Sequence, residues 1–245
     1  MRRLLRAPLP LLVCAACASA RPSHFEVPLQ TSIALPVVLA SVDGGPAQPF
    51  IVDTGAAVTV LDARGRAPGP VRIASLALGG LVVRDVAAQL AALPADLGAA
   101  GILSPQDAFR GMAVELDGRA LVLRLYRGLD EAGWRRLVAE PVHSAPLRWE
   151  DGLALLAVRV GVSGEVEGRL DSGSGGCTLP RADLERLGFA GQAEATLPLS
   201  VAGSKPGNEQ IFALEGPGAL GFPWFIGRRA ALSADRATLL FTDRK

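Results

Sequence analysis

Apolar residues in this chain fall in short runs closed by Gly, Pro and Asp, the pattern of β-strands joined by tight turns. Residues 35–42 form one such run. They lead through the turn residues Asp43-Gly44-Gly45-Pro46 into Phe50-Ile51-Val52. Residues 155–162 form another and lead through Ser163-Gly164 to a segment ending at Leu170. Both predict a β-hairpin. Downstream, Gly101-Ile102-Leu103-Ser104-Pro105 answers to Gly218-Ala219-Leu220-Gly221-Phe222-Pro223, with a proline in each suited to the first turn of a short helix. Residues 112–123 and 230–241 then predict two more hairpins, turning at Asp117 and Asp235. Helical composition is confined to residues 129–140, before the breaker Pro141, and to residues 181–187, before Gly188.

The hairpins at residues 35–52 and 155–170 each deliver the chain to an Asp-Thr/Ser-Gly triplet, Asp53-Thr54-Gly55 and Asp171-Ser172-Gly173, and each triplet runs on into a short β-type segment. Asp53 to Asp117 spans 64 residues, and Asp171 to Asp235 spans the same number. The order of parts therefore repeats, and the chain reads as an internal duplication with one triplet per copy. A strand ending in a turn explains one such triplet; two at matching places in duplicated halves point to a single site with paired carboxylates.

With these residues in view, the chain resembles the bacterial aspartic proteases of the retropepsin and pepsin type, with two lobes in one polypeptide. The stretch from Asp53 to Leu61 is nearer the retroviral style of the motif. Gly218-Ala219-Leu220-Gly221 keeps the apolar-apolar-Gly partner of the family, whereas Gly101-Ile102-Leu103-Ser104 ends in serine. The resemblance implies an all-β, bilobal pepsin-like fold of duplicated retropepsin type, with a few short helices. It implies lobes at residues 31–128 and 148–245 joined by a connector at 129–147. The implied activity is aspartic endopeptidase, with Asp53 and Asp171 catalytic.

Two carboxylates held about 3 Å apart cannot both ionise and so share a proton, a behaviour known for aspartic proteases. The ionised member accepts a proton from water while the protonated member polarises the scissile carbonyl. Gly55 and Gly173 allow tight turns that bring backbone N–H groups to the acids. By resemblance, the hydroxyls of Thr54 and Ser172 lock the two loops together. Ser174 is in place to donate to Asp171, and Ala56 offers Asp53 nothing equivalent, so the shared proton is expected on Asp53.

Arg2, Arg3 and Arg6, the apolar stretch that follows and the small-residue site Ala18-Ser19-Ala20 read as a signal peptide over residues 1–20. Its loss leaves 22 basic residues against 24 acidic ones, a balance that implies no nucleic-acid or membrane-surface partner. The stretch is too short and Pro-broken for a membrane span. A periplasmic or secreted monomer is expected, with lipid anchoring through Cys17 as the alternative. Cys177 alone then remains, as a small core residue without a disulfide partner. His24 and His143 read as solvent-facing, and no cluster has metal-ligand spacing, so neither a metal nor a cofactor is expected.

The expected partner is a peptide or protein substrate. What covers it is harder to find: the hairpin around Gly79-Gly80 reads equally as ordinary lobe structure, and residues 204–208 form a second candidate flap tip. A catalytically silent protease-fold protein that binds an extended peptide is therefore the alternative reading.

Overall fold

The structure is a computed structural model that describes residues 24–30, 34–137, 142–161 and 164–245. The signal segment 1–20 with Cys14 and Cys17, the start of the first lobe at residue 31, and Pro141 lie outside these residues.

The first half contains β1 (His24–Pro28), β2 (Val37–Val42), β3 (Gln48–Val52), β4 (Val60–Asp62), β5 (Gly69–Leu78), β6 (Leu81–Ala91), β7 (Gly101–Leu103), α1 (Pro105–Ala108), β8 (Met112–Asp117) and β9 (Val122–Arg127). After α2 (Glu131–Arg136) and β10 (Val142–Pro146) the second half follows. It contains β11 (Arg148–Glu150), β12 (Leu153–Val160), β13 (Gly164–Leu170), β14 (Cys177–Pro180), α3 (Arg181–Arg186), β15 (Glu194–Ser200), β16 (Gly207–Leu214), β17 (Gly218–Leu220), α4 (Phe222–Phe225), β18 (Arg229–Ser233) and β19 (Thr238–Thr242).

Strands β2 to β7 close a barrel in the order β2-β3-β7-β4-β6-β5. The second half repeats that order as β12-β13-β17-β14-β16-β15, closed by β12 on β15, with β11 added at the edge. The repeat extends to strand direction. The strand that leads into each triplet pairs in parallel with the strand after it in the ring, Phe50 opposite Gly101 and Gly168 opposite Gly218. Period-two burial explains the barrels: Val158, Val160, Val166 and Leu170 point inward while Glu165 and Glu167 alternate outward. Ile73, Leu76, Leu78, Leu81 and Val86 are buried in the first barrel, where the alternation of β5 is interrupted at Ala74.

A six-stranded sheet, β1-β9-β8-β18-β19-β10, takes three strands from each side of the duplication boundary and joins the lobes. β8 and β18 meet at its centre, Leu116 opposite Ala230. One face carries Leu116, Leu123, Leu125, Leu239 and Phe241 into the main core. The other face packs Ala113, Tyr126, Ala231 and Leu240 against Trp134 and Leu137 of the connector. Asp130 caps α2 by accepting from Gly133 N at 2.6 Å, so that turn has a local reason to form.

The lobes are also cross-linked by charge. Glu115 on β8, fully buried, accepts from Arg124 at 3.0 Å, from Arg229 of β18 at 2.6 Å and from the Tyr126 hydroxyl at 2.5 Å. Losing one partner of such a buried group costs about 3–5 kcal/mol. Asp117 turns the β8–β9 hairpin as expected, accepting from Arg119 N and Ala120 N at 3.0 Å each.

Two expectations about cover over the site resolve here. The β5–β6 hairpin is barrel wall, because β5 pairs with β2 as well as β6 and its apolar side chains fill the interior. Its tip at Gly79 packs beside Glu26 of β1. The second candidate tip, residues 204–208, is held on the carboxy-terminal segment instead, with Lys205 N donating to Asp243 at 3.1 Å. Neither hairpin is a flap.

Candidate active site

Both triplets sit where a barrel strand ends, β3 before Asp53 and β13 before Asp171, so the parallel strands β7 and β17 flank them. The N–H of Asp53 donates to Leu103 O and that of Asp171 to Leu220 O, each at 3.0 Å. Each loop is therefore fixed to the partner strand that the duplication predicts.

The loops grip one another across the interface. Thr54 Oγ1 donates to Leu170 O at 2.9 Å and accepts from Ser172 N at 2.9 Å. Ser172 Oγ donates to Val52 O at 2.7 Å and accepts from Thr54 N at 3.0 Å. Both side chains are buried, so four polar groups that water cannot reach are satisfied only when the loops meet. The glycines fit this approach for a spatial reason. A Cβ on Gly55 would lie 2.5 Å from Asp171 Cγ, and one on Gly173 would fall on Asp53 Cγ.

The carboxyls of Asp53 and Asp171, 118 residues apart, are brought together as each loop packs its glycine on the opposite acid, Gly55 on Asp171 and Gly173 on Asp53. Asp53 Oδ1 accepts from Gly55 N at 2.7 Å and Gly173 N at 3.2 Å. Burial pushes the Asp53 acid up to about 7; the Asp171 charge adds to this, and the two glycine N–H groups oppose it.

Asp171 has a different neighbour from the one the sequence suggested. Ser174 Oγ donates to Gly176 O at 2.8 Å, bracing its own loop, so the expected bond from Ser174 to Asp171 is replaced by a local turn. Arg169 supplies the donor instead: its Nη2 is hydrogen-bonded and ion-paired to Asp171 Oδ2. The sequence held a signal for this, an arginine two residues before Asp171 where strand alternation returns a side chain to the same face.

Around the pair, Thr59 Oγ1 accepts from Ser104 N at 3.2 Å, and Cys177 holds the equivalent sequence position in the second lobe. Cys177 is buried, which pushes its thiol up to about 11 and keeps it neutral. Gly221 is required by close approach, since a Cβ there would strike Gly176 O. Ser104 takes the matching place in the first lobe, fully buried at the start of α1. Gly152 in the β11–β12 turn packs on Ala57, just past the first triplet, where a Cβ would lie 3.1 Å from its Cα.

The histidines are remote from the pair. His24 lies on β1 and is exposed, while His143 on β10 is half-buried, stacked on Phe241 with Nε2 3.1 Å from Asp243. It is therefore not the solvent-facing residue expected. Among the described residues no group of three or more His, Cys, Asp or Glu is arranged to hold a metal ion, and no helix is long and apolar enough to cross a membrane.

Compared with solved structures, the chain is similar to an aspartic proteinase from Irpex lacteus, with a TM-score of 0.58 over 91% of this chain and 98% of that one. The fold is the bilobal pepsin-like fold. Sequence identity over that match is 12%, so the likeness is one of architecture. No protein-family model and no curated protein matches the chain by sequence. In the pepsin-like fold of this chain, the two triplet loops lie at the junction of the lobes.

Proposed function

We propose that the protein is an aspartic endopeptidase. Asp53 and Asp171 hold one proton between them; the ionised carboxylate takes a proton from water as the oxygen attacks the scissile carbonyl carbon, and the protonated acid donates to the carbonyl oxygen. The tetrahedral diol collapses when a proton passes to the amide nitrogen and the C–N bond breaks. The observation that carries this reading is the packing of each triplet's glycine on the other's carboxyl, across loops locked by Thr54 and Ser172, a rigid mounting for groups that must share a proton. Thr54, Gly55, Ser172 and Gly173 support the pair in this reading, and no cofactor enters it.

The residues 1–20 support export, so the substrate is a peptide or protein met in the periplasm or outside the cell; anchoring through Cys17 is the alternative, and fractionation of expressing cells separates the two. The lobes are proposed to be the units at residues 31–128 and 148–245.

One experiment tests the activity. The protein lacking residues 1–20 is incubated with a diverse peptide library from acidic to neutral pH, and products are read by mass spectrometry. Cleavage by wild type that falls below about a hundredth in both Asp53→Asn and Asp171→Asn supports the reading. Cleavage that persists in either variant assigns it elsewhere.

A second reading, a protease-fold protein that binds an extended peptide without cutting it, is favoured by two observations. Neither candidate hairpin covers the site, and Arg169 occupies an oxygen of Asp171. Retention of library peptides by wild type and both Asn variants alike, with no products, is its signature.

A further inference from the structure

On β13, Glu165, Glu167 and Arg169 alternate outward against buried Val166, Gly168 and Leu170. Asp171, itself buried, takes the next position of that alternation past the strand end, which brings its carboxyl beside the Arg169 guanidinium. The first lobe has Ile51 at the matching place before Asp53, packed with Leu35 and Val37. The duplication is thus broken at one side chain: an apolar residue precedes one acid, and a permanent cation precedes the other.

The surroundings leave Arg169 directed at Asp171. Its neighbours across the sheet are Leu155 on β12 and Ala219 on β17, neither of them ionisable. Glu167, on the same face, is engaged by Arg148 at 2.7 Å, and Arg148 also pairs with Glu150. From the opposite loop, Asp53 faces Asp171.

We propose that Arg169 is a positioning residue that breaks the symmetry of the pair: by holding negative charge on Asp171 Oδ2, it places the shared proton on Asp53. Asp171 is then the carboxylate that activates water, and Asp53 the acid that polarises the carbonyl. Those two roles rest on the proteolytic reading; the placement of the proton does not. The rise of the Asp53 acid to about 7 through burial and the Asp171 charge agrees with this placement. An opposite charge at this range favours the ionised form of a carboxyl, so Arg169 also delays uptake of a second proton by the pair as pH falls.

The test uses full-length mature protein with ¹³C-carboxyl-labelled aspartate, the two resonances assigned with Asp53→Asn and Asp171→Asn. Near pH 5, wild type shows Asp53 as the acid and Asp171 as the carboxylate. In Arg169→Leu, the side-chain type of the first lobe, the two signals converge, and Arg169→Lys restores the separation. The acidic limb of kcat/KM moves up by about 1–3 pH units in the leucine variant and returns toward wild type in the lysine variant. Arg169→Gln gives the same comparison should the leucine variant not fold. A wild-type proton on Asp171, or signals unchanged when the guanidinium is removed, overturns the proposal. Wild-type protein that cleaves nothing defeats the proteolytic reading, and the carboxyl signals still decide the role of Arg169.

Discussion

Replacing Asp53 by asparagine tests the electrostatics of the pair through folding stability, without reference to catalysis. The acid rises from an ordinary 3.8 to about 7 on folding, first because it is buried and then because Asp171 is charged. A raised carboxyl binds its proton more tightly in the native state. Stability from this group is therefore complete below about pH 4 and is lost as pH rises through about 7. A rise of roughly 3 pH units corresponds to at most about 4 kcal/mol, less what water screens at the open side of the cleft. Asparagine cannot ionise, and its Oδ1 still accepts from Gly55 N and Gly173 N, so the variant avoids that loss. Thermal and urea unfolding of both proteins should coincide near pH 4. Near pH 8 the variant should be the more stable, by several degrees in Tm at about 2–4 °C per kcal/mol. A gap that is the same at both pH values, or a variant less stable at pH 8, refutes the reasoning.

Gly173→Ala puts a methyl group on the Asp53 carboxyl and should lower stability by about 1–3 kcal/mol in urea titration, with loss of any hydrolysis, because the loops must part to admit it. Thr54→Val and Ser172→Ala each strand a buried carbonyl and a buried N–H of the opposite loop; each should cost about 1–3 kcal/mol, and a double-mutant cycle should show strong coupling. Ser174→Ala should leave the acidic limb of the pH profile where it is, since its hydroxyl serves Gly176 O; a shifted limb would return that hydroxyl to Asp171.

The duplication was legible because strand order, turn residues and triplets recur together, and the structure repeats the same pairings in both barrels. The barrel role of the β5–β6 hairpin was half legible: its apolar alternation suits a wall, but only the additional pairing of β5 with β2 excludes a flap. Ser174 misled because a hydroxyl one residue past a triplet can also serve a carbonyl of its own turn, and here it donates to Gly176 O. Arg169 was not legible because a single charge within a strand before a turn is ordinarily solvent-facing, and only the fold shows its guanidinium on Asp171. The Glu115 cluster was missed likewise: a lone glutamate in β8 gives no sign that Arg124 and Arg229 arrive from two other strands to neutralise it.

The six-stranded sheet has a consequence for how the chain is tied together. Its central seam joins β8 to β18, while β1 on β9 mirrors β10 on β19, the arrangement that two copies of one half would make around a twofold axis. The covalent link between the halves then keeps each at a raised effective concentration relative to the other. A chain nicked there should stay assembled and keep its paired aspartates at ordinary protein concentrations. Dilution, which leaves the intact chain unaffected, should separate the nicked halves and with them the two acids.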